Sequence, residues 1–164
     1  MDNRALDASV MSFRELMARL RAEAEKGSRV TVKNAKNLHG LCAGLKKGEI
    51  VVEGGAGDYL AMLIGSREQK ERGEKGPKII VNGNVGNYLA DGAWCGEVIV
   101  NGKAGFGAGI YAYGGTIIIR GGAEDGLAQL LKGATVVVDG DVGDNVGVYM
   151  VAGTVAVSYT HLRA

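Results

Sequence analysis

The chain has 164 residues, and its 19 basic side chains against 18 acidic ones leave a net charge of +1. A chain so balanced has no field with which to collect nucleic acid or an anionic membrane surface. Glycine is the outlier, at 28 residues against a single proline, and no collagen-type triplet accounts for it. Two cysteines, Cys42 and Cys95, with no CxxC motif, argue for a reducing compartment rather than a disulfide framework. No apolar run approaches membrane-spanning length and the N-terminus leads into no hydrophobic signal core, so a cytoplasmic protein is expected.

In chain order, residues 1–10 carry no periodicity and read as an extended lead-in. From Ser12, the apolar residues Phe13, Leu16, Met17, Leu20 and Ala24 fall on one face of a helix. Ser12 with Glu15 forms a capping box, and Gly27 is placed to end the helix in the left-handed conformation. Its other face is charged and solvated. Arg29 to Lys33 alternates polar and apolar and predicts a short strand. Asn34 to Lys47 is loop-like, and its His39 and Cys42 are too few ligands for a metal site. Residues 1–47 are thus a lead-in built of one helix and one strand.

From residue 48 a repeat takes over. Ile79-Ile80-Val81-Asn82-Gly83, Val98-Ile99-Val100-Asn101-Gly102, Ile117-Ile118-Ile119-Arg120-Gly121 and Val136-Val137-Val138-Asp139-Gly140 close on glycines nineteen residues apart. An earlier copy, Ile50-Val51-Val52-Glu53-Gly54, lies one period plus ten upstream, and the ten are the charged insert Ser66 to Lys75. A sixth opens at Val155-Ala156-Val157. One short β-branched strand and one glycine turn per period of about 20 residues is the signature of a solenoid. The expected domain is therefore an all-β parallel β-helix over residues 48–157, with an insert at 66–75 and a short N-terminal α-helix.

Counting each copy from its closing glycine as zero, positions −4 and −2 are always Ile or Val, while −5 and −1 are polar. Strand alternation then turns −4 and −2 inward, and stacks Val52, Val81, Val100, Ile119 and Val138 in one column. Position −3 should face outward, yet Val51, Ile80, Ile99, Ile118 and Val137 are all aliphatic. Five in register make a continuous apolar ridge, which calls for a cover: the N-terminal helix or a partner chain. Beyond the closing glycines Gly54, Gly83, Gly102, Gly121 and Gly140, a second glycine recurs at +3 (Gly57, Gly86, Gly105, Gly143, with Glu124 the exception). A small residue recurs at +7: Ala61, Ala90, Gly109, Ala128 and Gly147. The glycines imply corners of positive φ, and the small residues imply close approach of adjacent turns.

Chemistry is sparse along this chain. Gly105 to Gly109 lacks the spacing and the following helix of a dinucleotide loop, and Asp139 to Asp144 lacks the order and terminal Glu of an EF-hand. The serines Ser9, Ser12, Ser28, Ser66 and Ser158 lie outside the rungs, with no G-x-S-x-G elbow, so a free-standing hydrolase is the weakest alternative. No catalytic, cofactor-binding or metal-binding residue is assigned. Residues 158–164 abandon the repeat and resemble translated adapter read-through, so they read as a non-native tail.

The units Gly83 to Ala90, Gly102 to Gly109 and Gly140 to Gly147 resemble the G-xx-G-xxx-G repeat of the C-terminal domain of the glutamate synthase large subunit. That domain is shared with one of the subunits of formylmethanofuran dehydrogenase. The resemblance covers roughly Gly48 to Val157, and the preceding helix, strand and Gly40 to Leu45 look like the start of free-standing versions. Those serve as the third-domain subunit of split glutamate synthases and of methylamine-glutamate N-methyltransferase. The resemblance implies a right-handed parallel β-helix that contributes no catalytic residue. It implies partners that carry the chemistry: an FMN-binding synthase-type subunit with an iron-sulfur cluster, and an amidotransferase-type subunit. A formylmethanofuran dehydrogenase-like complex is the alternative. The departures are Glu124 and the insert.

Overall fold

The computed structural model describes residues 3–158. One parallel sheet of eight strands runs in strict sequence order: β1 (Asn3–Asp7), β2 (Arg29–Lys33), β3 (Glu49–Glu53), β4 (Lys78–Asn82), β5 (Glu97–Val100), β6 (Thr116–Ile119), β7 (Lys132–Asp139) and β8 (Ala152–Ser158). Each strand returns beside its predecessor, as a coil of chain laid on the coil before, so the molecule is a parallel β-solenoid. Val52 pairs with Val81, Val81 with Val100, Val100 with Ile119 and Ile119 with Val138, the expected column. All ten −4 and −2 side chains from Ile50 to Val138 are at most 1% exposed. The sheet also begins earlier than the glycine repeat. Leu6 pairs with Val32 and Val32 with Val52, so β1, inside the stretch read as an aperiodic lead-in, is a rung of the same stack. Ser158 closes β8 opposite Asp139, and the rest of the suspected tail lies outside the described residues.

Two helices fill the two longest intervals between strands. Helix α1 (Phe13–Glu25) starts where the Ser12 hydroxyl accepts the N–H of Glu15 at 3.1 Å, and Gly27 ends it at φ +79°. It buries Leu16, Met17, Leu20 and Ala24 against β1, β2 and the turn after β2. Arg21 donates to the Ala43 carbonyl at 3.5 Å, and Lys47 meets Glu25 at 2.9 Å. A Cβ on Gly48 would sit 2.6 Å from that of Ala24, so the chain re-enters the sheet directly under the helix. Helix α1 thus seals one end of the core. Helix α2 (Arg67–Glu71) is the short helical part of the charged insert.

The half of each coil that is not strand is a run of turns. At +5, +7 and +9 the backbone is left-handed: Tyr59, Ala61 and Leu63 have φ near +60°, and Tyr88, Ala90, Gly92 repeat the pattern one coil on. The +5 and +9 amides donate to the next coil, as in Tyr59 to the Asn87 carbonyl, while the +7 amide donates back, as in Ala90 to Leu60. Within a coil, +8 donates to +5 and +10 to +7, which places the left-handed residue third in each turn, the type II arrangement. Positive φ is therefore concentrated in this turn face. The +3 glycines, by contrast, do not have it.

Candidate functional site

The turn corner shows what the +3 glycines are for. At +4 stands an Asx residue in four of five copies, and in three of them its side-chain oxygen accepts the backbone N–H of the +4 residue in the next coil. Asp58 accepts from Asn87 at 2.7 Å, Asn87 from Phe106 at 2.8 Å, and Asp125 from Asp144 at 2.8 Å. His39 opens the series, its Nδ1 accepting the Asp58 N–H at 2.8 Å, so that ring nitrogen is part of the turn corner. The accepting oxygen lies where a Cβ on the following +3 residue would be: Asp58 over Gly86, Asn87 over Gly105, Asp125 over Gly143. Phe106 has no such oxygen. The residue after it in the +3 column is Glu124, the one non-glycine, and its amide still donates to the preceding coil, to Ala104 at 3.2 Å. The departure at Glu124 is thus a consequence of Phe106 and leaves the corner intact.

Cys42 takes the left-handed turn position of the second coil, is fully buried, and burial pushes its thiol up to about 12. Among the described residues no group of three or more His, Cys, Asp or Glu is placed to hold a metal, and no helix is long and apolar enough to cross a membrane.

The outward −3 column is continuous, Val51, Ile80, Ile99, Ile118 and Val137 pairing in turn. Only Val51 is buried; the other four are half-buried on the sheet's outer face. Helix α1 packs at the end of the stack, against β1 and β2, and does not cover this strip. Polar columns flank it. Asn82 donates to Glu53 at 3.0 Å and Asn101 to Asn82 at 2.9 Å, which ties the −1 positions into a side-chain ladder.

A groove of about 720 Å³ opens where the insert leaves the stack. The insert departs at Gly65 and returns at Gly76, and Cys95 of the next coil is packed against both. Gln69 donates to the Lys46 carbonyl at 2.9 Å, and the Lys70 stem lies 3.3 Å from where a Gly114 Cβ would be. The floor is glycine: Gly96, Gly114, Gly115 and Gly133. At its edge Trp94 stacks on Tyr113, centroids 4.1 Å apart and planes at 8°. Sequence reading missed this groove; the signal available was the insert's position between +11 and +12 of an otherwise regular coil.

Comparison with protein-family models, with curated proteins and with solved structures finds no match for this chain.

Proposed function

We propose that the chain is a non-catalytic scaffold subunit of a glutamate-synthase-like or N-methylglutamate synthase-like flavoenzyme complex of the cytoplasm. The observation that carries this reading is the aliphatic strip Ile80, Ile99, Ile118 and Val137, four in-register apolar side chains on an outer sheet face that the protein's own helix leaves open. A rigid sheet face of that kind suits burial against a partner. The family resemblance of the glycine repeat supplies the partner's class: an FMN-binding synthase-type subunit, with FMN and the iron-sulfur cluster on the partner and none on this chain. The resemblance would leave amide hydrolysis to an amidotransferase-type subunit.

The test is co-purification from native extract, then flavin absorbance of the complex. Ile99→Lys with Ile118→Lys places two charges on the strip without touching the inward columns. The expected result is loss of a flavin-bearing partner with the far-UV spectrum and melting temperature of the free subunit little changed. A partner that stays bound to the double variant, or a wild-type protein that recovers no flavoprotein, overturns the reading.

A further inference from the structure

The groove beneath the insert has no part in the scaffold reading, and its side-chain charge is one-sided. Lys70, Lys75 and Lys78 line it, and none of the three has an ion-pair partner among the described residues. Of the two glutamates on its wall, Glu74 is held by Arg72 at 2.9 Å, which leaves Glu97. The floor carries free backbone donors beside its carbonyl acceptors. The amides of Gly96 and Gly115, in left-handed backbone at φ +113° and +88°, find no acceptor among the described residues. Three ammonium groups and two free amides around one concavity make a field that favours an oxyanion.

The apolar edge is equally particular. Down the +11 column the residues read Gly65, Trp94, Tyr113 and Lys132. Trp94 has a ring stacked on the Tyr113 side and only a glycine in its column on the other, at the point where the insert swings out. An indole beside unpaired cations offers a flat surface to a ring.

We propose that this groove is a binding site for a small aromatic oxyanion, its phosphate or carboxylate head taken by Lys70, Lys75, Lys78 and the glycine amides, its ring lodged against Trp94. The volume, about 720 Å³, is in the range that encloses an organic molecule rather than a bare ion.

Trp94 is the protein's single tryptophan, so its fluorescence reports on the groove alone. Phenyl phosphate and benzoate share a ring and differ in the head group; inorganic phosphate has the head without the ring. Titration of the full chain with each, checked by calorimetry, is expected to give saturable binding of phenyl phosphate or benzoate, whichever head the site prefers, and tighter binding of phenyl phosphate than of inorganic phosphate. Lys70→Gln with Lys78→Gln should weaken the preferred probe about tenfold or more, the loss typical of a charge-assisted contact. Lys36→Gln, exposed on another part of the stack, should leave it unchanged. Deleting Ser66 to Lys75 restores a nineteen-residue coil, and is expected to keep the fold and abolish binding. The proposal is overturned by the absence of saturable binding of both aromatic probes up to about 10 mM. It is equally overturned by binding that survives the double lysine variant, or by binding that survives the deletion in a folded protein.

Discussion

At the scale of single residues, glycines that look equivalent in the repeat answer to different constraints. Gly105 has no need of positive φ, but a methyl there would clash with the Asn87 side-chain oxygen and lie 3.0 Å from the Gly86 backbone. Gly105→Ala is expected to cost about 2 to 3 kcal/mol, from overpacking and a broken coil-to-coil hydrogen bond. In an Asn87→Ala background the same change should cost less, so a double-mutant cycle read by chemical denaturation would show coupling. Equal cost in both backgrounds would refute the role given to Asn87. Gly109, at φ +75°, stands in the column where Ala61, Ala90 and Ala128 hold φ between +55° and +60°. A Cβ on Gly109 would also lie 3.3 Å from the Val136 side chain, so Gly109→Ala is expected to cost about 1 kcal/mol or more. The Asp91 carboxyl is raised from 3.8 by burial alone. Its contribution to stability is whole below pH 3.8, where the acid is protonated folded or unfolded, and falls as pH rises through the higher folded value. Asp91→Asn should melt higher than the native chain near neutral pH, and the gap should close below pH 3.8; a gap that is constant with pH would contradict this.

At the scale of elements, the two helices do opposite things. Helix α1 completes the core: Leu16 and Leu20 are essentially inaccessible and join Leu6, Val30 and Leu41. Leu20→Ala is expected to cost about 2 to 5 kcal/mol. Because coils touch only their neighbours, hydrogen exchange should quicken in β1 and β2 far more than in β5 and β6. Uniform loss along the stack would show that the solenoid melts as one unit instead. Helix α2 adds nothing to the core, with no buried residue, so deleting its segment is expected to leave the rungs in place. Gly65 and Gly76 both abut the Cys95 sulfur, so the ends of the deletion are already near each other. The helix boundaries of α1 were legible because Ser12, Glu15 and Gly27 are local signals. Strand β1 was not, because only Leu6 of its inward side is apolar. Arg4, on that same side, reaches Glu23 of α1 at 3.6 Å, since the first coil meets a helix there and not another coil.

At the scale of the whole molecule, a period of nineteen residues with Ile or Val at −4 and −2 determined the solenoid by itself. Once strands of that length recur at a constant interval, stacking in register is the arrangement that buries every inward column, and the outward aliphatic strip results from the same alternation. The repeat also contained the Asx residues at +4, whose partner column at +3 turns non-glycine only after Phe106. What one coil's sequence does not state is which atoms of the next coil will occupy its space. Whether a glycine serves left-handed backbone or a neighbour's oxygen, where α1 comes to rest, and that Lys70 and Trp94 border one groove were decided only when the coils closed on one another. These are contacts between residues distant in the chain, and no local propensity encodes them.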